Sequence, residues 1–317
     1  MQGKLVTVFG ASGFIGRNIV RELAQRGARV NAVCRDVEKA KFLKPMGVVG
    51  QVTPMRADVT DAAAIARAVN GASMVVNLVG ILHPSGRNTF DAVQATAPGV
   101  IAKAAKDVGA EAMVHVSAIG ADADSSSKYA RSKAEGEQAV RAAFPEATIL
   151  RPSVVFGAND SFFNKFASLA LLSPVLPLIG GGTTRFQPVY VDNVADAVMA
   201  ALETPAAKGQ TYELGGPEIY SFRELMEMVL KETNRKAKLV NLPFWAASIQ
   251  AAFLELLPSP MLTRDQVELL KSDNVVAADA KTLADLGVKA TPVEVIVPTY
   301  LDKFRPGGRY STGRQPA

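Results

Sequence analysis

The chain has 317 residues and a mass of 33.5 kDa, room for one large α/β domain with an appended lobe or for two domains. Apolar residues make up 48% and charged residues 21%, which excludes a disordered chain and a collagen-like fibre. A single cysteine (Cys34) excludes an internal disulfide and a multi-cysteine metal site, two histidines leave no zinc cluster, and a net charge of +5 is too mild for a nucleic-acid-binding face.

In chain order, short β-branched runs alternate with helical stretches, the pattern of a parallel sheet covered on both faces. The strands expected are Leu5–Phe9, Arg29–Cys34, Val52–Arg56, Met74–Leu78, Met113–Val116 and Thr148–Leu150, with helices clearest at Ile15–Arg26 and Lys133–Ala143. Strand-like sequence from Lys4 leaves no room for a signal or transit peptide. Past Arg151 the regularity fades. Gln187–Tyr190 and Thr211–Leu214 read as returning strands around a helix at Asn193–Leu202, and Ser221 with Glu224 and Thr263 with Gln266 read as capping boxes. The uncharged run Phe166–Thr184 is broken by Pro174, Pro177 and Gly180–Gly182, so a spanning helix is rejected. Leu239–Leu254, also uncharged, is expected as a helix buried in the small lobe, the alternative being a helix lying on a membrane or a partner.

The expected fold is therefore α/β: a Rossmann-type doubly wound parallel sheet with a smaller C-terminal α/β lobe. Residues 1–155, completed by 185–215, form the nucleotide-binding domain, and 156–184 with 216–304 form the lobe. Residues 305–317 are expected as a disordered tail. Lys303, Arg305, Arg309 and Arg314, against Asp302, make this end basic, which suits an acidic surface or lipid head groups.

Gly10, Ala11, Ser12, Gly13, Phe14, Ile15 and Gly16 follow an apolar strand and open a helix. In that order Gly10 turns the chain, Gly13 lets amides approach a pyrophosphate, and Gly16 lets the helix pack on the sheet. The spacing is GxxGxxG rather than GxGxxG. Where an NAD site usually ends its second strand in an acid, this chain has Cys34 and Arg35, then Asp36. A guanidinium suits a 2′-phosphate, so NADP(H) is preferred, with NAD(H) the alternative. Asp58 and Val59 after the third strand, and Asn77, Leu78, Val79 and Gly80 after the fourth, fall where the adenine and nucleoside edges would lie.

Tyr129 and Lys133 are four residues apart, on one helical face, and Ser117 ends the fifth strand. A free phenol titrates near pH ~10, too high for a base at neutral pH, but a neighbouring cation favours phenolate. Tyr129 thus reads as the acid/base, Lys133 as its cation and a ribose ligand, and Ser117 as a donor to a substrate oxygen. Ser125–Ser127 read as loop and cap residues. His115 reads as a core residue and His83 as loop surface. No metal site is expected.

These residues resemble the short-chain dehydrogenase/reductase superfamily in its extended or atypical branch. The block Arg151–Gly157, with Pro152 and Val154, looks like that branch's loop edging the nicotinamide, and Arg185–Ala195 resembles its later strand-to-helix block. Where the branch often places an Asn of its proton relay, the best match is Thr96. Within the branch, His115–Ser117, Ser125–Lys133, Ala143–Ala147, Phe163–Ser168, Gln187–Asp192 and Leu262–Asp265 resemble the family of the 39 kDa accessory subunit of respiratory complex I. That resemblance implies NADPH held tightly without known turnover, beside the junction of the complex's peripheral and membrane arms. Relatives in the same group imply a link to quinone biosynthesis. The expectation is a bacterial, cytoplasmic, dinucleotide-binding accessory or assembly protein. Its partners would be complex I or quinone-biosynthesis proteins, and any peripheral contact would be with the inner membrane face. The competing readings are an active oxidoreductase on a small carbonyl, alcohol or quinone-related substrate, and a sugar-nucleotide epimerase or dehydratase retaining NAD(H).

Overall fold

The computed structural model describes residues 1–258 and 260–308. It divides into two compact units. The first comprises Met1–Pro152, Val191–Leu214 and Val276–Lys289; the second comprises Ser153–Tyr190, Gly215–Val275 and the chain from Ala290.

The first unit is built on β1 (Leu5–Phe9), β2 (Arg29–Cys34), β3 (Val52–Arg56), β4 (Met74–Asn77), β5 (Ala112–Val116) and β6 (Thr148–Pro152), joined at one edge by Thr211–Leu214. The sheet order is Thr211–Leu214, β6, β5, β4, β1, β2, β3, and every pair is parallel. Such strands are buried on both faces and so read as continuous apolar runs; β4 and β5 are buried at every position. The strand order reverses between β1 and β4, where a doubly wound sheet opens its ligand crevice.

Helix α1 (Phe14–Gln25) packs with the helix Val191–Glu203. Helices α2 (Ala62–Val69), α3 (Ala97–Asp107) and α4 (Lys128–Ala143) pack in succession. Ile65, Val69, Ile101, Val140 and Phe144 from this group enclose a core with Phe9, Val75 and Met113 of the sheet. Helix α4 starts five residues before the expected Lys133, because the Ser127 hydroxyl accepts from the Ala130 amide and caps it. Tyr129 therefore lies in the first helical turn.

Two segments depart from the expected partition. Arg185–Phe186 and Val189–Tyr190 lie in the second unit, since they pair with Tyr220–Ser221 and Val155–Phe156; the chain re-enters the first unit only at Val191. Val276–Lys289 belongs to the first unit rather than to the lobe. Glu213 explains this: its amide donates to the Lys281 carbonyl at 2.8 Å and its carboxylate accepts from the Ala277 amide at 2.9 Å. The Asn193 side chain likewise donates to the Lys289 carbonyl at 3.1 Å.

The second unit has its own core, in which Phe156, Phe163, Phe186 and Phe222 are buried with Leu225, Val229, Val297 and Leu301. Buried Asp160 organises one side of it, accepting from the Tyr300 hydroxyl at 2.6 Å and from the amides of Gly157 and Asn164 at 3.1 Å each. Both expected capping boxes are present, at Ser221 with Glu224 and at Thr263 with Gln266. The helix expected to be buried within Leu239–Leu254 forms at Phe244–Leu254, but only Ala247 and Ala251 are fully buried, while Trp245, Ile249 and Phe253 face outward. Of the expected tail, Arg309–Ala317 lie outside the described residues. Arg305 is anchored, its Nε donating to the Glu232 carbonyl at 2.8 Å. No helix among the described residues is long and apolar enough to cross a membrane.

Candidate functional site

A cleft of ≈ 200 Å³ opens in the first unit, lined by Gly10, Ser12 and Gly13 after β1, Cys34 and Arg35 from the end of β2, Ala57 and Val59 after β3, and Leu78–Ile81 after β4. These are the carboxyl ends of parallel strands, and Asn88 and Val93, from the segment that follows β4, close the remaining side. Gly10 sits at φ +80°, and a Cβ there would meet the Leu78 carbonyl carbon at 3.3 Å. A Cβ on Gly16 would come within 2.2 Å of the Gly10 carbonyl oxygen, so only glycine lets α1 approach the loop this closely. Phe14 and Ile15 start α1, whose N-terminus carries no side-chain cap and no acid in its first turn. Its first amides can serve an anion.

Arg35 is exposed at the cleft and makes no ion pair among the described residues. Asp36, the acid that could have served a ribose hydroxyl, instead accepts from the Lys39 amide at 3.1 Å. That bond, with the Lys39 charge, holds its carboxyl below the usual carboxylate range. Asp58 is engaged locally as well, accepting from the Thr60 amide at 2.9 Å and hydroxyl at 2.8 Å. These bonds lower its pKa, helped by the Arg35 and Arg87 cations.

Asn77 is fully buried at the end of β4. Its Oδ1 accepts from the Val79 amide at 3.1 Å, which turns Nδ2 towards His115 Nδ1 at 3.1 Å. Behind the cleft, the Ile81 amide donates to Gln94 Oε1 at 2.7 Å, and Gln94 Nε2 donates to Ser132 Oγ at 3.0 Å. Gly80 is the common neighbour: a Cβ there would lie 3.6 Å from Gln94 Oε1 and 3.8 Å from Lys133 Nζ. The cleft floor and Lys133 are therefore one packed assembly.

Lys133 is buried and donates to the Val116 carbonyl at 3.1 Å, beside Ser117. Burial brings its pKa down to about 8, with Glu137 opposing the shift. Ser117 Oγ is buried and has no hydrogen-bond partner among the described residues. Tyr129, half-buried one helical turn before Lys133, meets the Phe90 ring edge-on at 6.1 Å between centroids. A buried hydroxyl awaiting a partner, a phenol and an ammonium can together donate to an oxygen, move a proton and hold a ribose.

The remaining expected positions divide. Pro152 ends β6 in the first unit, whereas Val154 packs on the second unit's core. Arg151 is committed to Glu137 by two bonds of 2.9 and 2.7 Å. His115 is a core residue, as expected; His83 is half-buried in its loop. Thr96 is exposed. The amide present beside Lys133 is Gln94, in a π-helical turn at Asp91–Thr96 that precedes α3. The sequence reading missed it because a π turn shifts the inward face by a residue, which helical periodicity cannot reveal. Among the described residues no group of His, Cys, Asp and Glu could hold a metal ion.

Residues 6–215 match the NAD dependent epimerase/dehydratase family. The chain is 37% identical over 325 residues to NADH dehydrogenase [ubiquinone] 1 alpha subcomplex subunit 9, mitochondrial, of Arabidopsis thaliana, with 97% of this chain and 80% of that protein covered. It is 31% identical over 239 residues to a ceramide reductase of Caulobacter vibrioides, with 75% of this chain and 74% of that protein covered. Among solved structures, the NADPH-dependent quinone oxidoreductase of Escherichia coli complexed with NADPH shares the fold, with a TM-score of 0.74 at 20% identity, covering 93% of this chain and 99% of that one. With its all-parallel sheet, its glycine loop at the switch point and this likeness along nearly its whole length, the chain belongs to the NAD dependent epimerase/dehydratase family, in the group that contains subunit 9 of the mitochondrial NADH dehydrogenase 1 alpha subcomplex.

Proposed function

We propose that this chain holds NADP(H) as an accessory or assembly protein of a complex I-type NADH dehydrogenase, or of quinone metabolism, working at the cytoplasmic face of a bacterial membrane. The carrying observation is the likeness of nearly the whole chain to a named subunit of the mitochondrial enzyme. In this reading the loop Gly10, Ser12, Gly13, Phe14, Ile15 and Gly16 holds the pyrophosphate against the uncapped start of α1. Arg35 takes the 2′-phosphate. Asp58 and Val59 border the adenine, and Asn77, Val79 and Gly80 border the rest of the nucleotide. Tyr129 and Lys133 hold the nicotinamide ribose, and Pro152 lies towards the ring. The unpaired state of Arg35 and the engagement of Asp36 with Lys39 support NADP(H) over NAD(H). When bound, such a nucleotide supplies a hydride donor or acceptor.

Ser117, Tyr129 and Lys133 favour a second reading, a working oxidoreductase on a small carbonyl, alcohol or quinone-related substrate. There Ser117 donates to the substrate oxygen and Tyr129 exchanges its proton, with the Lys133 cation lowering the phenol's pKa. The name of the Caulobacter relative, a reductase, supports it too. Arg35 weighs against a sugar-nucleotide epimerase that retains NAD(H).

Affinity purification from native membranes tests the first reading. Co-migration with NADH dehydrogenase subunits or quinone-biosynthesis enzymes, and NADP(H) in the mass spectrum of the released nucleotide, are expected. Migration without any of them would overturn the accessory role, and NAD(H) in the spectrum would overturn the Arg35 assignment. For the second reading, Tyr129→Phe abolishes turnover while sparing nucleotide affinity; equal activity in the variant excludes it.

A further inference from the structure

The segment after β4 does not run straight to the π turn. Ser85 and Asn88 exchange two backbone hydrogen bonds of 3.0 Å, which close a two-residue turn at Gly86 and Arg87. Gly86 takes φ +57°, as the first central residue of a type II′ hairpin turn requires, and Arg87 occupies the second central position. The Thr89 hydroxyl and carbonyl accept from the amides of Ala92 and Val93 at 3.1 and 3.0 Å, which anchors the hairpin to the helical turn behind it. Asn88 is half-buried and lines the cleft, while Arg87 at the tip is exposed. Where the tip leans follows from the sheet order. Arg87 belongs to the loop after β4 and Asp58 to the loop after β3, with the ends of β1 and β2 between them. At about 4.8 Å per strand that gap is roughly 14 Å. The Arg87 charge nevertheless reaches the Asp58 carboxyl and, with that of Arg35, lowers its pKa. The hairpin therefore leans across the ends of β1 and β2, towards the side of the cleft where Arg35 stands.

The acids of this side are already engaged. Asp36 and Glu38 are each paired with a lysine three residues on, Lys39 and Lys41. Asp58 spends Oδ1 on the Thr60 amide and hydroxyl, and Asp61 caps α2 through the amides of Ala63 and Ala64. Arg17, the cation next to the glycine loop, is held as well: it lies over the Phe42 ring at 4.7 Å and donates to the Gly13 carbonyl at 3.4 Å. Arg35 and Arg87 have neither an ion pair nor a side-chain hydrogen bond among the described residues. Two guanidinium groups near one carboxylate leave this end of the cleft net positive. A phosphomonoester answers that arrangement, with a charge of about −1.5 to −2 and three acceptor oxygens, enough to receive both arginines.

We propose that Arg87 is a second ligand of the 2′-phosphate, which it grips together with Arg35, so that the hairpin 85–88 is the clasp by which this chain selects NADP(H) over NAD(H). This rests on the NADP(H) reading above and names how the same site chooses its nucleotide. The pyrophosphate on the glycine loop is common to both nucleotides, so the clasp acts on selectivity rather than on binding as such.

Calorimetric titration of the full chain with NADPH and with NADH tests it. Arg87→Ser should weaken NADPH about tenfold, the worth of one charge-assisted hydrogen bond. NADH affinity should be unchanged, which also checks that the variant folds. Arg87→Lys, which keeps the charge but not the fork, should fall between the two. With both arginines replaced by Ser, NADPH should bind no more tightly than NADH. Arg87 at an exposed tip is also a site for trypsin. Saturating NADPH should slow cleavage of the Arg87–Asn88 bond several-fold more than saturating NADH does. The proposal is overturned if Arg87→Ser leaves NADPH affinity unchanged or weakens both nucleotides equally, and also if the two nucleotides protect equally from trypsin. In those cases a selective loss of NADPH in Arg35→Ser keeps the NADP(H) reading standing. A wild-type chain that binds NADH as tightly as NADPH overturns the reading and the clasp together.

Discussion

Asn77 settles the protonation of its neighbour. Its carbonyl is taken by the Val79 amide, so its amide nitrogen donates to His115 Nδ1, which must then be an acceptor with the ring proton on Nε2. His115 is thus built to be neutral, and burial, with the Lys133 cation adding to it, pushes its pKa down to about 3. The folded value lies below the ordinary 6.5, so the unfolded chain takes up this proton first as pH falls. Stability should be independent of this group above pH 6.5 and should decline from there towards pH 3, by on the order of a few kcal/mol. In denaturant titrations across that range, His115→Gln should flatten this part of the decline. If it leaves the slope unchanged, the buried-imidazole account fails. At the cleft edge, Arg35→Ser removes the cation proposed to take the 2′-phosphate. NADPH affinity should fall roughly 10- to 100-fold, the worth of a charge-assisted hydrogen bond, while NADH affinity hardly moves. Calorimetric titration with both nucleotides decides it.

At the scale of elements, the glycine loop and α1 stand or fall together. Gly16→Ala would put a methyl 2.2 Å from the Gly10 carbonyl, a backbone atom that cannot swing aside. The helix must move off the loop, and both thermal stability and nucleotide retention should drop. A variant that keeps wild-type melting and binding would show that the close approach is dispensable. Helix α4 depends on a gentler device. Ser127→Ala loses the cap on Ala130, at a cost of about 1 kcal/mol, and loosens the turn that carries Tyr129. Its melting temperature should fall by a few degrees, and any turnover should suffer more than NADP(H) binding, since the glycine loop is untouched.

On the scale of the molecule, the first unit is closed by a partly buried electrostatic knot rather than by chain order. Arg151 on β6 holds Glu137 of α4 in a two-bond fork and reaches Glu213 at 3.5 Å, and Glu213 in turn fixes Ala277. Four segments distant in sequence converge there. Removing Glu137 takes two charge-assisted bonds from a half-buried guanidinium that keeps Glu213 at 3.5 Å, so Glu137→Ala should cost about 2 kcal/mol. Ligand linkage gives a complementary reading: NADPH at a hundred times its Kd should stabilise the native chain by about 2.7 kcal/mol. A melting temperature that does not respond to NADPH would contradict a folded-state nucleotide site.

The chain's own order of residues determined the strands of the first unit to within a residue or two, the glycine loop, the position of Ser117 just past the end of β5, and the one-turn spacing of Tyr129 and Lys133 on a helix. These are local matters: alternating apolar runs, turn chemistry and helical spacing are set by neighbours in sequence. Only the tertiary structure decided that Gln94 rather than Thr96 stands beside Lys133, because a π turn changes which side chain faces inward. It decided that Val276–Lys289 joins the first unit, because one carboxylate, Glu213, reaches across the chain to fix it. It also decided that Trp245 and Phe253 face outward: a run without charges reads the same whether its large side chains meet a core or the surroundings, and only packing against Ala247 and Ala251 separates the two.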